Sequence, residues 1–212
     1  MPVDDKHSDL NAEKWNARAE TYDQKRFDIM RFMQKRTVDL IDLKPGLSLL
    51  DIGCGTGWAV RHTAKLLDGK GNFHGIDISP RMIERAIEQT SQESNIQFHV
   101  ANAEALPFPV EKFDVVLCTN SFHHYKNPIN ALLEMKRVLR TDGMLYVTDL
   151  TRDSLFGKLL DDRYRKKEQA HVKYYSTKEY QNMFAEAGLE YIKTKTITIT
   201  TVKVHIGKKK PL

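Results

Sequence analysis

Cysteine is scarce: the 212 residues include only two, Cys54 and Cys118. Two thiols cannot build a disulfide framework, so a reducing compartment, the cytoplasm, is the expected location. Long apolar runs are missing as well. Val115-Val116-Leu117-Cys118 is typical of the longest, far short of the ~20 residues that a membrane-spanning helix needs. The first residues, Met1-Pro2-Val3-Asp4-Asp5, have neither the basic start nor the apolar stretch of a secretory signal. There is no repeat or low-complexity tract. No Cys/His set has zinc-ligand spacing, so no metal site is expected.

What is present fits an ordinary soluble domain. Hydrophobic residues make up 41% and charged residues 29%, which disfavours disorder, collagen and coiled coil. The length fits a single domain over 1–212. Lys and Arg number 33 against 28 Asp and Glu, a formal charge of +5. Much of the excess lies in Arg163-Tyr164-Arg165-Lys166-Lys167 and in Lys208-Lys209-Lys210. Such clusters can meet nucleic acid or an anionic membrane surface. A solvated face and a frayed tail are the simpler expectation, so nucleic acid is not favoured as a partner.

Residues 1–44 read as helical. Asp9 or Asn11 is placed to cap a first helix, and a second runs from Phe27 to Leu43, stopped by Lys44-Pro45-Gly46. The pattern then changes to short apolar strands alternating with helices over 45–150. Strands are expected at Leu47–Ile52, Asn72–Ile78, Asn95–Ala101, Phe113–Thr119 and Met144–Leu150. Ser79 and Pro80 form the cap and first position of a helix to about Gln92. This alternation predicts an α/β fold with a parallel sheet covered on both faces. A charged insertion follows over 151–175, helical to about Val172. In 176–212 a helix from Thr177 to Ala187 precedes Leu189–Ile199 and Thr201–Ile206, which alternate like an antiparallel pair at one edge.

The first strand runs into Asp51-Ile52-Gly53-Cys54-Gly55-Thr56-Gly57. Glycines between a strand and a helix let the backbone turn tightly and approach a ligand. The bulky Trp58 argues against a dinucleotide fingerprint, and no Lys-Ser/Thr of a P-loop follows. Asp77 ends the second strand, 20 residues after Gly57. A carboxylate there accepts hydrogen bonds from ribose hydroxyls, or serves as an acid beside the helix-capping Ser79.

With LLDIGCGTG and the downstream Ala103-Glu104-Ala105-Leu106-Pro107-Phe108, the chain resembles the class I S-adenosylmethionine-dependent methyltransferases. The branch it resembles includes the ubiquinone and menaquinone biosynthesis enzymes and many small-molecule methyltransferases. The resemblance implies a Rossmann-like seven-stranded sheet, mostly parallel, with the last strand antiparallel. It also implies S-adenosylmethionine as cofactor and S-adenosyl-L-homocysteine as product. By position, Gly53, Gly55 and Gly57 shape the loop under the cofactor, and Asp51 orients that loop. Asp77 holds the ribose, while Ile78 and Met82 flank the adenine. Asn102 stands where the family commonly has Asp on the adenine amino group, and its carbonyl can still accept that bond. Ala103 offers its backbone N–H, and Thr119 and Asn120 face the methionine moiety. Tyr22 either closes over the cofactor or packs as an ordinary helix residue.

Methyl transfer from a sulfonium is an in-line displacement that alignment alone can accelerate, by ~7–11 kcal/mol. A hydroxyl or acidic carbon acceptor also profits from a base. His123 and His124 follow the fourth strand, where open α/β sheets bind ligands. They are a catalytic base, a substrate contact or plain polar loop residues. Thr119-Asn120-Ser121-Phe122 lacks the Asn/Asp-Pro-Pro-aromatic run of base-amino methyltransferases. A small-molecule acceptor is therefore expected. The alternatives are an RNA or protein substrate met through the basic 152–173 segment, or a cofactor-binding protein without transfer activity.

Overall fold

The computed structural model describes residues 6–25, 27–90, 95–197 and 201–211. Two helices, α1 (Lys6–Lys25) and α2 (Phe27–Val38), precede the sheet. Five strands then alternate with three helices: β1 (Leu47–Ile52), α3 (Trp58–Leu66), β2 (Gly71–Asp77), α4 (Pro80–Glu88), β3 (Ile96–Val100), β4 (Phe113–Thr119), α5 (Pro128–Val138) and β5 (Leu139–Leu150). A 3-10 turn, Phe122–His124, follows β4. The chain continues with α6 (Leu155–Lys167), α7 (Thr177–Glu186), β6 (Glu190–Thr196) and β7 (Val202–Lys208).

The seven strands form one sheet in the order β3-β2-β1-β4-β5-β7-β6. The pairs among β1 to β5 are parallel, and β7 runs antiparallel between β5 and β6. The expected fold class is thus the observed one. All six residues of β1 are buried, because helices cover both faces of its parallel surroundings. Leu50 and Ile52 pack into one core with Phe113, Phe122 and Phe184, and Leu49 into the other with Phe73 and Leu117. Each such side chain contributes roughly 1.5–3 kcal/mol on burial. The strand order reverses between β1 and β4, and it is at such a switch point that an open α/β sheet leaves a crevice.

Several expected boundaries move. Helix α1 begins at Lys6, so Asp9 and Asn11 lie inside it and neither caps it. The Asn11 side chain donates instead to the carbonyls of His7 and His124. Strand β5 starts at Leu139, not at the expected Met144, and takes in the Thr141-Asp142-Gly143 stretch expected as a turn. Its first bridge, Phe113 to Leu139, is separated from the rest by a register shift. Helix α6 ends at Lys167, and residues 168–175 form an irregular segment rather than a helix to Val172. The C-terminal lysines are not a frayed tail. Lys208 belongs to β7 and pairs with Asp142 at 2.6 Å, and Lys209 Nζ donates to the Leu139 carbonyl at 2.7 Å. The expected ends at Gln92 and Ile199, and the first five residues, lie outside the described residues.

The sheet also buries histidines. His74 on β2 packs among His99, Phe108 and Phe113. Burial, the nearby Lys112 ammonium and His99 push its pKa down to about 4. The unfolded chain takes up that proton near pH 6.5. Between those values the unfolded state binds more protons, so the contribution is complete above pH 6.5 and is lost as pH falls toward 4, by about 1.4 kcal/mol per pH unit. Asp51 and Asp149, raised by burial to about 8 and about 7, act in the opposite sense. The difference between variant and wild type therefore isolates the histidine. In urea unfolding series at pH 7 and pH 5, a His74→Leu protein is expected to lose less stability on acidification than the wild type.

Candidate functional site

The crevice at the carboxyl ends of β1, β2 and β4 is a cavity of about 720 Å³, counting its open mouth. Its floor is the glycine loop. Gly53, Gly55 and Gly57 all have positive φ, at 71°, 54° and 78°. At Gly53 a Cβ would stand 2.1 Å from Ser121 Oγ, so only glycine lets the β1 and β4 loops meet. At Gly55 it would lie 3.5 Å from the Tyr22 ring, an ordinary contact, and the demand there is the left-handed backbone. Gly57 packs against Phe98 as the residue before α3 and does not line the cavity.

Asp77, at the end of β2, fastens this loop. Its Oδ2 accepts the Gly55 N–H at 2.9 Å and its Oδ1 the Ser79 N–H at 2.9 Å. Ser79 in turn caps α4 by accepting the Met82 N–H at 3.1 Å. Asp77 thus supports the helix start, and it also lines the cavity with lone pairs to spare for hydroxyl donors. Burial raises its pKa while the Ser79, Gly55 and Ile78 N–H groups pull it down.

Asp51 does not orient the loop by hydrogen bonding. Both its oxygens are buried without a partner, and burial together with the Asp77 charge raises its pKa to about 8. Asp77 and the Ile76 carbonyl do that work instead, the carbonyl accepting the Gly53 and Cys54 N–H groups. Thr119 Oγ1 is likewise buried and unpartnered, and Asn120 beside it has φ of 55°. Thr119 lines the cavity, so its hydroxyl is open to a bound polar ligand, whereas Asp51 does not line it.

Thr119 and Asn120 line the cavity, as do Ile78, Met82, Asn102 and Ala103. Asn102 is more engaged than its position implied. Its Oδ1 accepts the Glu104 N–H at 2.9 Å and its Nδ2 donates to Ser8 Oγ at 3.2 Å, which leaves one carbonyl lone pair for a ligand. Helix α1 roofs the cavity with Asn11, Trp15 and Tyr22. The Trp15 ring stands edge-on to both Tyr22 and His124, with centroids 6.0 and 5.4 Å apart. Tyr22 is half-buried, and desolvation, Asp77 and Asp23 raise its phenol pKa. His7, Ser8, Asn11 and Trp15 were not recognised as site residues. The signal was a helical stripe at spacings of three, four and seven residues that ends on Tyr22.

The two histidines separate. His124 lines the cavity, and its Nδ1 lies 2.6 Å from the Ala170 carbonyl. A carbonyl only accepts, so Nδ1 carries the proton and Nε2 the lone pair. Burial, His123 and Lys14 hold its pKa well below the usual histidine range. His123 turns away, and its Nδ1 bonds Asp149 at 2.8 Å. It is buried beside Tyr174 and His171, whose Nε2 is 2.9 Å from Asp161. The segment after α6 binds both residues, with the Val172 N–H donating to the His123 carbonyl at 2.9 Å. His123 thus builds the wall that holds His124.

Comparison with known proteins identifies the family. A family profile described as "Methyltransferase domain" matches residues 43–188. The demethylmenaquinone methyltransferase of Staphylococcus aureus is 27% identical over 204 residues, covering 86% of this chain and 84% of that protein. The biotin biosynthesis bifunctional protein BioHC of Teredinibacter turnerae is 29% identical over 188 residues, 81% of this chain, which spans about a third (33%) of BioHC. A Haloferax volcanii methyltransferase, solved in complex with the Trm112 methyltransferase activator, superposes with a TM-score of 0.84 at 20% identity, over 93% of this chain and 98% of that one. The match to the [4+2]-cyclase SpnF, with a TM-score of 0.72 over 84% of this chain and 80% of that one at 18% identity, shows that the fold is shared with other chemistry. The family profile spans the glycine loop, Asp77 and the His124 turn together, and the chain belongs to the methyltransferase-domain family as an S-adenosylmethionine-dependent enzyme.

Proposed function

We propose that this methyltransferase acts on a small-molecule acceptor by in-line displacement, with His124 receiving the acceptor's proton. The observation that carries the reading is the roof. Helix α1 crosses the cavity and is fastened along its length, so that an acceptor must fit beneath it beside the cofactor. Its fastenings are Asn11 to the His124 carbonyl, Asn16 to Ser79, Asp23 to Thr56, and Lys14 with Arg18 to Glu168. The relative named demethylmenaquinone methyltransferase supports a small aromatic acceptor.

Bound S-adenosylmethionine supplies an electrophilic methyl group. In this reading Asp77 holds the ribose, and Asn102, Ala103, Ile78 and Met82 bound the adenine. Tyr22 and Trp15 exclude water above it. His124 offers a neutral nitrogen at Nε2, because Ala170 fixes the proton on Nδ1. Incubation with methyl-labelled cofactor and a cell extract is expected to place the label in the low-molecular-weight fraction. Label in RNA or protein instead would refute the small-molecule reading.

Replacing the ring without its nitrogens isolates the base. His124→Phe keeps the edge contact to Trp15 and is expected to lower kcat by about 10²–10⁴-fold, the range of general-base catalysis. Cofactor affinity, measured calorimetrically, should stay within a few-fold. Unchanged kcat would remove His124 from the chemistry.

Asp77→Ala removes the acceptor of two buried backbone donors as well as the ribose contact. Cofactor affinity is expected to fall by about 1.5–3 kcal/mol, the scale of hydrogen bonds to a charged group. The ligand-free protein should also melt earlier, because the Gly55 and Ser79 N–H groups lose their partner. A lower melting temperature with wild-type affinity would leave Asp77 a purely structural role.

A further inference from the structure

Helix α6 presents three large apolar side chains to solvent: Leu155, Phe156 and Leu159 are 74%, 61% and 60% exposed. Single exposed apolar residues are commonplace, but three at i, i+1 and i+4 make a continuous patch on one helix face. The face cannot turn inward. Gly157 on the opposite side sits so close to β5's end that a Cβ would stand 2.2 Å from the Thr151 carbonyl oxygen. Asp161, also inward, binds His171 and the Tyr174 N–H at 2.9 and 2.8 Å.

The outward face continues into Arg163 and Lys166, flanked by Lys158, Arg165 and Lys167, all exposed. Against these five cations α6 exposes one carboxylate, Asp162. Cations in a last helical turn suit the helix dipole, which accounts for Arg165, Lys166 and Lys167. It does not account for Lys158 near the start, where a cation is disfavoured, nor for the apolar patch. Helices that lie in a membrane interface combine these two features, an apolar face among Lys and Arg.

We propose that the outer face of α6 docks on an anionic lipid surface, Leu155, Phe156 and Leu159 entering the headgroup boundary and the cations meeting the anionic headgroups. A second copy of the chain fits poorly, because face-to-face pairing sets like charges opposite one another. Nucleic acid fits poorly too, since Phe156 is the patch's one stacking ring and two leucines would be left in water. The proposal does not depend on the identity of the methyl acceptor.

The test is co-sedimentation with vesicles at low ionic strength. Binding is expected to vesicles of equal parts phosphatidylcholine and phosphatidylglycerol, about tenfold weaker binding to phosphatidylcholine alone, and loss of binding at high salt. Triple replacement Leu155→Ser, Phe156→Ser and Leu159→Ser, and separately Arg163→Gln with Lys166→Gln, should each weaken binding about tenfold. Circular dichroism and the thermal shift with S-adenosylmethionine check that each variant is folded. If the triple variant misfolds, Phe156→Trp decides: its emission, after subtraction of the wild type, should shift to the blue on anionic vesicles. No sedimentation of the folded protein, equal binding to both lipids, unchanged binding by the folded triple variant, or an unmoved tryptophan emission would overturn the proposal. So would tighter binding to a mixed-sequence RNA than to vesicles, or a concentration-dependent dimer abolished by the triple replacement.

Discussion

One carboxylate holds the site together. Asp77 receives the Gly55 amide on one oxygen and the Ser79 amide on the other, so the loop after β1 and the loop after β2 share a single anchor. The glycine loop keeps its left-handed turns only while its amides have somewhere to go, and those amides are buried. The same anchor sets the start of α4, because Ser79 caps that helix and also donates to Asn16 of α1. Floor, side wall and roof of the cavity therefore trace back to two hydrogen bonds on one ionisable group.

The walls and the sheet are held by different forces. The strands are fixed by apolar burial that solvent cannot reach, whereas α1 is fastened by hydrogen bonds and ion pairs, and segment 168–175 by these together with the buried Tyr174 and Tyr175 rings. Glu168 joins the two through Lys14 and Arg18, and those pairs, with burial opposing, pull its carboxyl down to about 2. Half-exposed ion pairs of this kind contribute on the order of 0–1 kcal/mol each. Elements so fastened open locally at far lower cost than the core strands.

The fold was legible where physics is local. Leu47–Ile52 and Phe113–Thr119 are short, mostly apolar runs, glycines bracket the first, and Ser79-Pro80 opens α4, so these strands and the α4 cap could be read directly. The start of β5 could not, because Thr141, Asp142 and Gly143 look like a turn, while Leu139 already bridges Phe113 of β4 and a register shift carries the strand on to Met144. Of the site, the strand-end residues were readable because topology gathers strand ends. Asp51 was expected to orient the glycine loop, yet the loop's amides bond Asp77 and the Ile76 carbonyl, since sequence places an acid but not its neighbours. Asn11 looked like a cap and is a roof residue. His123 and His124 looked equivalent because a 3-10 turn of three residues sends consecutive side chains in different directions, one to Asp149 and one to the cavity.

The bond from His124 to Ala170 makes the ring a dead end for protons. An imidazole conducts when both nitrogens meet exchangeable partners, taking a proton on one and releasing it from the other. Here the far nitrogen faces an amide carbonyl, which can take no proton, and the carboxylate that might have completed a wire is spent on His123. Whatever proton arrives at Nε2 must leave by the same nitrogen. The ring can store one charge per visit, and it is emptied only when the cavity itself is open to water.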